Sequence, residues 1–206
     1  MNTNINLNKK AHAKTILYIG RMGYTLIYNL DAHHISFILK RRKEVMATKT
    51  QKGQAASVTD MLRKDHKKVQ ELFKKFEKAE NAKEKQQIVE TALMELEVHA
   101  ELEEKLIYPA MRAEIDDEDL MDEAEEEHHV VHGVIAELKK MKPSDERYDA
   151  KFTVLGELCK HHIKEEEGEM LPKAEKSDIE WEDLSAQVMK RKDQLMEKAE
   201  SSSKKR

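Results

Sequence analysis

An all-α protein is expected, an up-down-up-down four-helix bundle followed by a short C-terminal helix, and three observations lead there. The chain has 206 residues, enough for one well-buried domain with tails to spare. Charged residues make up 38% of it and aromatics 5%, a poor composition for a β-sandwich. With 6 Gly and 3 Pro there is little material for turns, while apolar residues recur at steps of three and four through successive stretches. Helices of ~20–28 residues rise ~30–40 Å, and short connections make sequential helices antiparallel neighbours.

The first helix is expected from Ser57, on the stripe Val58, Leu62, His66, Val69, Phe73 and Phe76. Asn81 followed three residues later by Glu84 reads as the cap of a second helix. Its stripe is Ile88, Ala92, Leu96, His99, Glu103 and Leu106, with Pro109 near the end. Asp116 and Asp117 open a third, striped by Met121, Ala124, His128, Val131, Ile135 and Leu138. Pro143-Ser144 breaks the chain, and Ser144 can cap a fourth helix carrying Phe152, Leu155, Cys159, His162 and Glu166, which Pro172 ends or kinks. Ser177 with Glu180 starts the fifth segment, amphipathic through Trp181, Leu184, Val188 and Leu195, before a disordered tail at 201–206. The division is therefore 1–56, 57–175 for the bundle, and 176–206 for the C-terminal helix and basic tail.

Residues 1–56 read as a disordered or spurious extension, with a presequence-like segment as the alternative. The apolar run from Thr15 is interrupted by Arg21, Asp31, His33 and His34 and falls short of the ~20 residues of a membrane span. Residues 1–45 hold eight Lys/Arg against two Asp/Glu, so the remainder carries −10 of the chain's net −4. An acidic body is a poor generic ligand for nucleic acid, whose binding rests on neutralising phosphates. Neither nucleic acid nor membrane is expected as a partner. The single cysteine, Cys159, excludes an internal disulfide framework and suits a reducing, cytoplasmic compartment.

Each apolar stripe contains a histidine and two contain a glutamate. His99 and Glu103, His128 and His132, and His162 and Glu166 are each four apart, so each pair projects from one helix face. Unpaired glutamates among leucines would cost several kcal/mol each, and a cation between them removes that cost. The spacing also repeats: His66 to His99 is 33 residues and His128 to His162 is 34, each His-x3-Glu following, with Pro109 and Pro172 ten beyond their histidines. A duplicated helix pair would set the ligands about a pseudo-twofold axis, with His132 an extra ligand.

Coordination arithmetic suits two octahedral iron ions. His66, His99, His128, His132 and His162 fill five positions, and Glu103 and Glu166 as bridges fill four. An oxo or hydroxo bridge fills two more, which leaves one open for a small ligand such as O2. Off the stripes, His129 and His161 are expected in solvent. So are the acidic runs that include Glu101, Glu104, Glu125, Glu126 and Glu165. Cys159 and Tyr108 are expected to be packing residues.

Asp-His66-Lys-Lys-Val, His99-x3-Glu103 leading to Leu-Ile-Tyr-Pro, Glu-Glu-His128-x3-His132, and His162-x3-Glu166 leading to Glu-Met-Leu-Pro resemble the hemerythrin-like (HHE cation-binding) domain, over roughly 57–175. The resemblance implies a four-helix bundle with a non-haem di-iron centre. It also implies a role in O2 binding, in sensing, or in handling iron, nitric oxide or peroxide. One departure stands out: oxygen carriers of the family usually end in His-x4-Asp, whereas this chain has His162-x3-Glu166, or His161-x4-Glu166 in the other register. A ferritin-like oxidase or a di-iron peroxidase is the alternative, but Glu125-x-x-His128 is the one Glu-x-x-His within the ligand set. A helical interaction module with incidental histidines is the third reading, and the in-phase carboxylates oppose it.

Overall fold

The computed structural model describes residues 15–19, 25–29 and 32–203. The chain divides into two compact units, 1–49 and 50–206. In the first, β1 (Thr15–Ile19) and β2 (Thr25–Asn29) pair antiparallel, with Leu17 opposite Ile27. Their Thr, Ile and Tyr content suits a pleated ribbon. The segment expected as an extension thus contains β1, β2 and the start of α1 (Ala32–Lys78), a helix expected only from Ser57. Its other positions lie outside the described residues.

The second unit holds the rest of α1, then α2 (Ala82–Leu102), α3 (Tyr108–Glu114), α4 (Glu118–Leu138), α5 (Tyr148–Glu165), α6 (Leu171–Ala174) and α7 (Trp181–Ser203). A π-helical turn, Glu103–Ile107, joins α2 to α3, and another, Glu166–Met170, joins α5 to α6. Counting each joined pair as one rod, the unit is the expected four-helix bundle with an added C-terminal helix. Asn81 caps α2 as expected, its side chain accepting from the Glu84 N–H at 2.9 Å, and Asp117 caps α4 by accepting from Leu120.

Two expected caps are absent. Ser144 lies in a turn closed by the Lys142 N–H donating to Asp145, so α5 starts at Tyr148, behind Arg147. Ser177 donates its hydroxyl to the Ala174 carbonyl and finishes α6, so α7 starts at Trp181. α7 is also longer than expected and takes in Ser201, while the end of the tail, 204–206, lies outside the described residues.

Pro172 does not end its helix, nor does Pro109. A proline lacks the N–H of the helical ladder, and its ring clashes with the carbonyl four residues back. In both places the chain widens just before it: Tyr108 donates to the Glu103 carbonyl and Leu171 to the Glu166 carbonyl, each five residues back. A single widened turn of this kind passes the helix through, and such turns gather at functional sites.

The core forms two apolar clusters. One gathers Leu62, Leu102, Ile107, Met111, Met121, Leu171, Trp181 and Val188. The other gathers Val69, Leu96, Val131, Phe152, Leu155 and Cys159. Along each rod the stripe histidine falls between members of the two, as His66 does between Leu62 and Val69, so the polar layer is sealed by hydrocarbon on both sides. Among the described residues no helix is long and apolar enough to cross a membrane.

Candidate metal centre

Each bundle rod sends one histidine inward: His66 from α1, His99 from α2, His128 from α4 and His162 from α5. All four are buried, as are Glu103 and Glu166 at the first positions of the two π turns. Two donor groups result. His66, His99, Glu103 and Glu166 form one, Glu103, His128 and His162 the other, with ligand atoms in each group all within 4.8 Å. Glu103 belongs to both, its Oε1 3.1 Å from His99 Nε2 and its Oε2 3.5 Å from His128 Nε2. Glu166 Oε2 lies 3.0 Å from His66 Nε2 and 3.9 Å from His162 Nε2.

The donor set fits cations. All four carboxylate oxygens of Glu103 and Glu166 are buried without a hydrogen-bond partner. The His66 and His99 Nε2 atoms face each other at 3.1 Å, and those of His128 and His162 at 3.2 Å. Buried oxygens and ring nitrogens that converge this closely call for positive charge, which a cation can supply.

The imidazoles turn their other nitrogen to an outer carboxylate. His66 Nδ1 is 2.8 Å from Glu167, His128 Nδ1 3.0 Å from Glu104, and His162 Nδ1 2.7 Å from Glu127. His99 Nδ1 stands 3.7 Å from Asp65. Such partners fix the tautomer so that Nε2 points inward as a donor to metal. The pattern obeys the repeat in the sequence: Glu104 and Glu167 each serve a histidine of the other half, Asp65 and Glu127 one of their own.

The six residues His66, His99, Glu103, His128, His162 and Glu166 are thus brought together. His132 is not. Its Nε2 is 2.6 Å from Glu104, its side chain is 43% exposed, and it meets the cluster through that glutamate and edge-on against the His128 ring. His129 and His161 are exposed, which places His162 and not His161 in the layer.

Glu104, expected on a solvated face, is instead half-buried between His128 and His132. Asp65, Glu127 and Glu167 were not anticipated either. Their signal was adjacency: each of the four outer carboxylates sits next in sequence to an inner-layer residue. The widened turns let Glu103 and Glu104, and likewise Glu166 and Glu167, both address the site.

Tyr108 is more than packing. Its buried hydroxyl lies 3.4 Å from His128 Nε2 and 3.3 Å from His162 Nε2, on the second donor group. In the repeat its counterpart is Leu171. Cys159 lines a cavity of about 30 Å3 together with the four histidines, Val69, Leu96, Val131 and Ile163. Burial pushes its thiol up to about 12, so it is an inert wall.

In the metal-free chain these groups share charge unevenly. Burial lowers the His99 imidazole, but Glu103 and Asp65 outweigh it and raise His99 to about 10. Burial likewise opposes ionisation of Glu103, and the adjacent His99 charge overrides it and holds the carboxyl far below its ordinary range. Burial and the neighbouring Glu103 charge push Glu166 up. Burial pulls His128 down, whereas for His162 the bond to Glu127 overcomes burial and raises it.

Known proteins give the same picture. A family model described as "Hemerythrin HHE cation binding domain" matches residues 57–174. A crystal structure of a hemerythrin HHE cation binding domain-containing protein from Mycobacterium kansasii is similar, with a TM-score of 0.56 and 27% identity over 66% of this chain and 85% of that one. A curated protein from Nostoc sp. named "DNA nickase" is 27% identical over 117 residues, 55% of this chain. The match spans 32% of that relative's length.

Proposed function

The chain belongs to the hemerythrin HHE cation-binding family, and we propose that it is a non-haem di-iron protein that binds a small ligand such as O2, in oxygen binding, sensing or the handling of iron and oxidative stress. The observation that carries this reading is the pair of donor groups sharing Glu103. His66, His99, Glu103 and Glu166 would hold one ion, and Glu103, His128 and His162 the other. Imidazole and carboxylate donors without thiolate suit iron. Iron so held supplies reversible coordination of a small ligand and electrons to it.

The chain's own residues do the rest. Glu104, Glu127 and Glu167 orient three of the imidazoles and keep Nε2 free to donate. The cavity walled by Val69, Leu96, Val131 and Ile163 gives a diatomic-sized ligand a dry place beside the four Nε2 atoms. His132 acts through Glu104 and steadies His128. The buried free Cys159 suits a reducing, cytoplasmic setting.

A peroxidase-like or ferritin-like oxidase remains the second reading, and the buried Tyr108 hydroxyl beside the second donor group favours it. Sustained turnover of H2O2 distinguishes it from ligand binding. DNA nicking is not carried over to this chain. It spans a third of the relative so named, and residues 46–206 carry a net charge of −10, which offers phosphates no general attraction.

Iron content of three variants tests the assignment. His66→Ala and His99→Ala should each lower the iron retained per chain by about tenfold or more at limiting metal. His129→Ala, on the exposed face, should leave it unchanged. Equal losses in all three would contradict the donor set.

A further inference from the structure

The repeat gives the two halves of the centre matching outer carboxylates, and the partners of those carboxylates differ at His99. Asp65 and Glu127 hold equivalent places, each next to an inner-layer histidine and each facing the Nδ1 of the next one along. Glu127 accepts from His162 Nδ1 at 2.7 Å. Asp65 instead gives both oxygens to Lys192 Nζ, at 2.6 and 2.7 Å, and His99 Nδ1 is left 3.7 Å away, buried and without a hydrogen bond. Lys192 stands on α7, outside the residues that match the family model. Its neighbour Arg191 binds Glu101 at 2.6 Å, so α7 is fastened to the bundle on either side of the site. Among the described residues no lysine pairs with Glu127, whose other close partner is the exposed His161 at 3.2 Å.

We propose that Lys192 is a positioning residue that loosens the cation position of His66 and His99 by drawing Asp65 away from His99. The inference rests on the two-cation reading. A metal on Nε2 draws charge from the ring and makes Nδ1–H a stronger donor, and a free carboxylate there strengthens the metal bond in turn. At His162 that carboxylate is free to act. At His99 it is shared with Lys192, so the position built on His66 and His99 holds its ion less tightly than its four donors would otherwise allow. A segment beyond the bundle thereby tunes one of the two positions.

Anaerobic titration of the full-length metal-free protein with ferrous ion against a competing chelator reads the two stepwise dissociation constants. In Lys192→Met and in Lys192→Gln, Asp65 is released to His99, and one of the two constants should tighten by about tenfold while the other stays near its wild-type value. Lys192→Arg should keep both wild-type constants. Arg191→Met, which removes the neighbouring tie of α7, should keep them also. In the zinc-loaded Lys192→Met protein the His99 Nδ1 proton should move downfield as its hydrogen bond shortens, a signature that mere docking of α7 does not produce.

Two constants unchanged or weakened in both Lys192→Met and Lys192→Gln overturn the proposal and leave the two-cation reading standing. A wild type that takes up fewer than two ions overturns both.

Discussion

Glu103→Gln should abolish stable occupancy of the cation centre while leaving the bundle folded. Glu103 is the one side chain common to both donor groups, its two oxygens divided between His99 and His128. The amide keeps the volume but removes the negative charge and turns an NH2 toward a ring nitrogen. In the metal-free protein that NH2 can donate to Nε2, so folding is spared. With metal it points two protons at a cation. The loss should exceed the ~10–100-fold that follows removal of an outer partner, and it should fall on both ions together. Glu95→Gln is the control: Glu95 is buried like Glu103 but bonds Lys68 at 2.7 Å, away from the layer, and its loss should leave metal binding intact. Metal per chain after dialysis and the helical circular dichroism decide the outcome. Retention of both ions by Glu103→Gln would remove the bridging role.

Metal-free protein should lose stability as pH rises from about 6.5 to about 10. The His99 imidazole titrates ordinarily near 6.5 and is raised to about 10 in the folded chain, where Glu103 and Asp65 hold its charge against the cost of burial. A group raised on folding contributes stability in full below its unfolded value and loses it on the way up to its folded one. Glu166, also raised, acts in the same direction from lower pH. The imidazolium thus stands in for the cation. Metal that binds Nε2 displaces that proton, so affinity should climb over the same interval while the loaded protein stays comparatively flat. Thermal melts of the two forms should diverge with pH, the metal-free Tm falling by at least about 5 °C. Parallel melts would mean that His99 is neutral in the metal-free fold.

The inner layer was legible because helical period is a strict filter. His66, His99, Glu103, His128, His162 and Glu166 lie in phase with the leucines and valines of their own stripes, and burial of a charged group at such a position calls for a partner. The stripe also separated His162 from His161, which adjacency alone could not do. The same filter also took in His132. It is four residues after His128 and in phase, yet close to the bundle edge, and it turned to Glu104 instead.

The outer carboxylates escaped for a related reason. Asp65, Glu104, Glu127 and Glu167 sit one step off the stripes, where acidic residues are ordinarily solvated, and only the packing of neighbouring helices shows that each reaches a ring nitrogen. The π turns were equally hidden. Pro109 reads as lying near a helix end and Pro172 as ending or kinking its helix, and a widened ladder that carries the helix past a proline has no signature beyond the proline itself. Hydroxyl capping misled at Ser144 and Ser177, where the loops close on Asp145 and on the Ala174 carbonyl. The strands at Thr15–Ile19 and Thr25–Asn29 were masked by an apolar run that also resembled a targeting segment.

Iron analysis with the ultraviolet–visible spectrum of the purified protein, first in air and then through cycles of anaerobic reduction and O2 exposure, is the most direct test of the proposed centre. About two irons per chain are expected, as in di-iron bundles, with charge-transfer bands that disappear on reduction and return with O2. Failure to bind metal after anaerobic reconstitution with ferrous ion would contradict it.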